Sequence, residues 1–155
     1  MNKALSKEIY TFTDLYLNAA GEAIEYTIEE EAVTGYTPAY AVTANGFTVT
    51  NTHEADIYEN VTIVKAWEDN DNQDGVRPQS ITVKLLANSK ELATKELTAA
   101  DNWTWTIDKL YVNEDGEAIV YAVEEVEIEG YATEITGNAA DGFIITNTRA
   151  PEKID

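Results

Sequence analysis

Residues 116–148 read GEAIVYAVEEVEIEGYATEITGNAADGFIITNT, and residues 21–52 read GEAIEYTIEEEAVTGYTPAYAVTANGFTVTNT. Gly116 follows Gly21 by 95 positions, Gly130 follows Gly35 by the same distance, and one inserted residue separates the copies by Asn51 and Asn147. Self-similarity at that period marks a domain-sized unit, too long for a solenoid repeat. Within each copy, short runs of Val, Ile, Tyr, Phe and Thr alternate with polar residues and are punctuated by Gly, Asn and Asp. That pattern predicts a β-sandwich.

Working outward, alternation predicts strands at 61–67, 80–87, 103–107, 118–125 and 142–148, with a weaker one at 90–97. Residues 68–78 predict a polar loop closed by Asp74-Gly75 and Arg77-Pro78, and 113–117 a hairpin turn. A complete repeat then occupies 61–149, followed by a tail at 150–155. Nothing before Lys7 corresponds to 61–95, so residues 1–54 carry only the C-terminal part of a repeat, joined to the second by a linker at 55–60. The expected fold is all-β, two tandem sandwiches with the first incomplete.

The chain has 155 residues, of which 44% are hydrophobic, enough to bury a core. Its 29 acidic residues against 10 basic ones give a formal charge of −19. Such a surface repels phosphates and anionic lipid, so neither nucleic acid nor a membrane surface is an expected partner. There is no cysteine, hence no disulfide framework or thiolate metal site, and the single histidine, His53, cannot build a Ser/His/Asp triad or a multi-histidine centre. No metal and no cofactor is expected, and His53 reads as a solvated residue at a strand end. MNKALSKEIYTF lacks the apolar core of a secretory signal, and no apolar run is long enough to cross a bilayer. Any export signal or anchor is expected outside this segment.

Side chains alternate between the two faces of a strand. The inward sets are Val61, Ile63, Lys65 and Trp67; Ile119, Tyr121, Val123 and Glu125; and Phe143, Ile145 and Asn147. Each is apolar except for one residue. Parity alone leaves three readings open: Lys65 and Glu125 reach solvent from strand ends, they form a buried salt bridge, or with Asn147 they make a self-crosslinking site. Chemically the third is simple. Burial favours the neutral form of an amine, a neutral amine is a nucleophile, and attack on a carboxamide carbon forms an amide and expels ammonia. A protonated carboxyl group polarises the carbonyl and relays the protons. In the first copy the inward sets are Ile24, Tyr26, Ile28, Glu30 and Phe47, Val49, Asn51, so Glu30 and Asn51 are the equivalents of Glu125 and Asn147. No lysine-bearing strand precedes them. Lys3 and Lys7 are poor substitutes, because MNKALSKE lacks alternation, and Asn51 is expected to stay an unreacted amide. With its apolar face uncovered, the segment 1–54 is expected to recruit a second chain, to remain partly disordered, or to be completed by about 40 upstream residues.

The segments VTIVKAWEDNDNQDGVRP, NWTWTIDKL, IVYAVEEVEIEGY and GFIITNT, in that order, resemble the Cna B-type domains of Gram-positive adhesins and pilins. The resemblance covers 61–149 and, in its later half only, 8–53. It implies an immunoglobulin-like or prealbumin-like sandwich in which an isopeptide bond joins Lys65 to Asn147, promoted by Glu125; Glu124 is adjacent but points outward. It further implies a stalk or spacer of a cell-wall-attached surface protein, extracellular and not an enzyme. Its partners would be neighbouring repeats of the same protein, with host extracellular matrix reached through other domains. The competing reading is a ligand-binding module for a host protein or glycan.

Other signals lead less far. Asp69, Asp71 and Asp74-Gly75 suggest a calcium loop, but the twelfth position is Ser80 where a glutamate is required, and a solvated turn is expected instead. Trp103 and Trp105 share a face with Ile107, as a sugar platform or, preferably, a core strand would require. Glu29/Glu30 and Glu124/Glu125 split across strand faces and so cannot work as glycosidase pairs. The parity at 118–125 is open to a direct check. Glu125→Ala is expected to fold without crosslinking and Glu124→Ala to crosslink normally; the reverse outcome in an intact-mass comparison would overturn the assigned faces.

Overall fold

The structure is a computed structural model that describes residues 7–154. Lys3 lies outside the described residues. The chain divides into two compact units at His53/Glu54.

The second unit is a two-sheet sandwich. One sheet has the order β12-β13-β5-β8, with β5 Ile57–Glu68, β8 Thr104–Tyr111, β12 Ala132–Asn138 and β13 Gly142–Thr148. The other has the order β11-β6-β7, with β6 Ser80–Ala87, β7 Lys90–Thr98 and β11 Tyr121–Glu125. The core between them is built from alternate residues of both sheets: Val61, Ile63, Phe143 and Ile145 from one, Ile81, Val83, Leu85, Leu97 and Val123 from the other. Burying each of these large apolar side chains stabilises the fold by roughly 1.5–3 kcal/mol. At the centre of the larger sheet the first and last long strands run parallel, Phe143 opposite Ile63 through Thr148 opposite Glu68.

Several boundaries differ from those read off the alternation. β5 begins at Ile57, so residues 57–60 of the expected 55–60 linker are strand paired with β8. Asn60 has φ 52, a left-handed conformation that asparagine tolerates, and there the inward parity slips by one, so that Tyr58 as well as Val61 reaches the core. Alternation therefore breaks at the point where the expected strand begins. The expected strand 103–107 begins instead at Thr104. A 3-10 turn at Ala99–Asp101 is followed by Asn102 and Trp103 with φ 53 and 52, so Trp103 sits in a turn and does not share a strand face with Trp105 and Ile107. The expected strand 118–125 is split. Glu117–Ala118 (β10) pairs with Asn113–Glu114 (β9), and Asp115 and Gly116, with φ 50 and 84, close the hairpin in the I′ geometry that suits strand twist. Strand β12 was not foreseen: its burial shows only Ile135 partly covered, so it carries little apolar alternation.

The first unit repeats the later half of the second. β1 Asn18–Ala19 and β2 Glu22–Ala23 form the same hairpin as β9 and β10, and β3 Thr37–Thr43 pairs with β4 Gly46–Thr52 as β12 pairs with β13. Tyr26 donates its hydroxyl proton to the carbonyl of Tyr16 (2.9 Å), as Tyr121 does to Tyr111 (2.9 Å). Among the described residues, β4 has no neighbour on the side where β13 has β5. Phe47 is consequently 38% exposed, while Phe143 is 4% exposed.

Gly137 ends the β12 side of its hairpin at φ 101, and a Cβ there would run into the Gly142 carbonyl. Gly137→Ala is therefore strained both in φ and in space. It is expected to lower stability in chemical denaturation by about 2–4 kcal/mol, against about 0.5 kcal/mol or less for the exposed Glu134→Ala on the same strand.

Candidate functional site

β5 and β13 carry Lys65 and Asn147 on the same inward face. Asn147 stands opposite Trp67 and Lys65 opposite Ile145, which makes the two polar residues diagonal neighbours across a parallel pair. Lys65 is 4% and Asn147 0% exposed. Glu125, the last residue of β11, reaches them from the other sheet: the Asn147 carboxamide Nδ2 donates to its Oε2 at 2.8 Å. Glu124 is exposed and stands opposite Lys84. The burial pattern of all three strands follows the expected inward sets.

A fourth residue completes the cluster. Thr133 on β12 is paired with Asn147 in the antiparallel hairpin. Its Oγ1 accepts from Asn147 Nδ2 at 2.9 Å and donates to Glu125 Oε2 at 3.0 Å. The carboxamide nitrogen thus has two acceptors, Glu125 Oε2 and Thr133 Oγ1. Among the described residues, Asn147 Oδ1 and Glu125 Oε1 are buried without a hydrogen-bond partner, a costly state that marks the site as polar chemistry inside an apolar shell. Thr133 was missed from sequence because β12 was missed; the usable signal was its place opposite Asn147 in a hairpin closed by a short Asn-Ala-Ala-Asp-Gly turn.

Above the lysine lies an aromatic lid. Lys65 Nζ sits 3.6 Å from the Trp67 ring centroid, and Trp67 meets Trp103 and Tyr131 edge-on, each at 5.3 Å. Nζ also donates to the Ala66 carbonyl at 2.6 Å. Loss of solvent pushes the Lys65 pKa from 10.5 down to about 8, against the opposing charge of Glu125 and with help from Arg77. Burial thus favours the neutral amine, while the Trp67 ring and the Ala66 carbonyl favour the ammonium.

The loop expected as a solvated turn is instead anchored inside. Asp69 is 4% exposed and accepts from Arg77 Nε (2.9 Å) and Nη2 (2.5 Å), the Tyr131 hydroxyl (3.0 Å) and the Asn72 amide (3.0 Å). The Arg77 hydrogen bonds hold its carboxyl far below the usual carboxylate range. This is a buried bidentate pair that fixes Arg77 5.2 Å from the Trp67 ring. The signal was parity, since Asp69 continues the inward series 61, 63, 65, 67.

In the first unit, Asn51 Nδ2 donates to Glu30 Oε1 at 2.9 Å, so the acid–amide pair is present there too, but exposed. Pro38 stands opposite Asn51, where the second unit has Thr133 opposite Asn147. His53 is exposed and packs its ring against Tyr36, centroids 5.3 Å apart.

Comparison with known proteins matches residues 2–52 and 61–148 to the family model of the Cna protein B-type domain. The collagen adhesin of Staphylococcus aureus is 37% identical over 145 residues, which is 92% of this chain but 12% of that protein. The crystal structure of a single B repeat unit (B1) of the collagen binding surface protein of S. aureus matches at TM-score 0.56 and 34% identity, covering 90% of this chain and 73% of the other. The structure of two such units (B1B2) gives the same TM-score and identity over 36% of its length.

The titration of Lys65 can be measured in Asn147→Ala, which keeps the amine but offers it no amide. Its ammonium signal is expected to titrate near pH 8, and an ordinary value near 10.5 would contradict the burial argument. The sign for stability follows. With the folded pKa depressed, the unfolded chain binds more protons between about 8 and 10.5, so this variant gains stability as pH rises through that window and carries the full desolvation cost below it.

Proposed function

The chain belongs to the Cna protein B-type domain family, and on that premise we propose that it is a stalk or spacer module of a cell-wall-attached surface protein, closed by an isopeptide bond between Lys65 and Asn147 that the chain forms itself. The family is a structural domain of surface adhesins and pilins and not an enzyme family. The observation that carries the crosslink is the burial of Lys65 beside a carboxamide whose leaving nitrogen lies 2.8 Å from Glu125.

The step balances within the three side chains. The neutral Lys65 amine attacks Cγ of Asn147, and the Nζ–Cγ bond forms as the Cγ–Nδ2 bond breaks. Glu125 first takes a proton from the Lys65 ammonium, which gives the neutral amine and the carboxylic acid; it then gives that proton to Nδ2 and takes another from Nζ as one ammonia leaves. The Trp67 ring, 3.6 Å from Nζ, keeps bulk water from solvating the amine. Because the bond ties β5 to β13, it constrains the unfolded chain as a disulfide closing a similar loop would, by about 4–5 kcal/mol. With no cysteine in the sequence, it would be the covalent staple of an extracellular domain.

Extracellular placement at a Gram-positive cell wall and neighbouring repeats as partners are part of the same proposal, supported by the surface protein of S. aureus that the chain resembles. So is a role for other domains of the parent protein in contacting host matrix. Residues 1–54, with Tyr40 and Phe47 exposed and β4 open on one side, would associate with a completing segment or a second chain.

Intact mass decides the matter. The purified chain is expected to weigh one ammonia less than its sequence, not two, with Lys65 and Asn147 in one branched proteolytic peptide. Lys65→Ala is expected at full mass, with a lower melting temperature and faster trypsin cleavage. Full mass for the unaltered chain overturns the crosslink, and saturable affinity for a matrix protein or glycan replaces the stalk by a binding module.

A further inference from the structure

We infer that Thr133 is a positioning residue of the closure reaction, holding the leaving nitrogen of Asn147 against the Oε2 oxygen of Glu125. The inference rests on the crosslink proposed above and adds a residue to it. Three observations lead to it.

First, Thr133 Oγ1 lies 2.9 Å from Asn147 Nδ2 and 3.0 Å from Glu125 Oε2, while those two atoms are 2.8 Å apart. The three atoms form a closed hydrogen-bonded triangle with the leaving nitrogen at one corner. A carboxamide nitrogen held by two acceptors turns less freely about Cβ–Cγ, so its carbon keeps one face toward an incoming amine. Without the hydroxyl, Nδ2 would lose one of these two acceptors, and the amide could turn within its pocket.

Second, the fold does not need a hydroxyl at this position. The first repeat pairs Pro38 with Asn51 in the register in which the second pairs Thr133 with Asn147, and the hairpin keeps that register over all seven pairs. Asn51 Nδ2 there meets Glu30 alone among the described residues. Thr133 is therefore dispensable for hairpin geometry and distinctive of the unit in which the amide is buried.

Third, the hydroxyl is the only group on β12 in the cluster. The strand contributes one partly buried apolar side chain, Ile135, and its other residues are exposed. Thr133 reaches inward by hydrogen bonding and not by packing.

The test follows closure in time, in the full chain made by cell-free translation, purified rapidly and sampled for loss of ammonia by intact mass at constant pH. Circular dichroism checks that each variant is folded. Thr133→Val keeps the shape and removes the hydroxyl; it is expected to close about tenfold more slowly, the scale of one lost hydrogen bond in a transition state. Thr133→Ser restores the hydroxyl and is expected to close within about twofold of the unaltered chain. Thr133→Ala reads the same loss if the valine variant does not fold. Val or Ala closing at the unaltered rate overturns the inference, as does a serine variant as slow as valine, which would assign the effect to the methyl group and packing. If the unaltered chain never loses ammonia, the failure belongs to the crosslink itself and not to Thr133.

Discussion

The second repeat is organised around an amine taken out of water. Lys65 stands in the middle of a core strand, with Ile63 fully buried two residues before it and the indole of Trp67 against its Nζ. A lysine in that place would be expelled to solvent or neutralised unless its surroundings were fixed. The rigid parts of the unit do that fixing. Asp69 holds Arg77, Arg77 lies against Trp67, Tyr131 closes the cluster from the segment before β12, and Glu125 arrives from the facing sheet. The sandwich and the polar cluster are thus one construction, because the side chains that define the cluster come from both layers.

The two copies in this chain form an internal control. β4 carries nearly the same sequence as β13, and β3, though it shares no residue with β12, pairs with β4 in the same register along the strands. What differs is the remainder of the sandwich. Phe143 and Asn147 are buried by β5 and the facing sheet, while Phe47 and Asn51 are left open. The acid–amide hydrogen bond survives in both, which shows that it is a local property of the hairpin and its preceding segment. Desolvation is the non-local property, and it needs the strands that come earliest in the repeat.

The fold class and the faces of the long strands were legible because burial on one side enforces a period of two, and Val61, Ile63, Lys65 and Val123 obey it. Lys65, Glu125 and Asn147 could be singled out for the same reason, as polar interruptions of apolar sets. The elements that were not legible break that period or lack it. Asn60 reverses the parity of β5 by a left-handed residue, Trp103 is turned out of β8 by another, and β12 is an edge strand with only Ile135 partly buried to mark its inward face. Thr133 depends on β12 and could be seen only once that strand was placed, whereas the burial of Asp69 continues the parity of β5.

The parallel pairing of β5 with β13 has a mechanical meaning. The chain enters the unit at one end of β5 and leaves at the opposite end of β13, and the two strands lie side by side at the centre of the sheet. A pull on the entry and exit points acts along the strands, so the six paired positions are sheared together and are not peeled one at a time. Shear distributes load over the whole ladder, whereas peeling concentrates it on the outermost hydrogen bond. The unit is thus arranged to bear tension in the direction in which a chain of such units would transmit it.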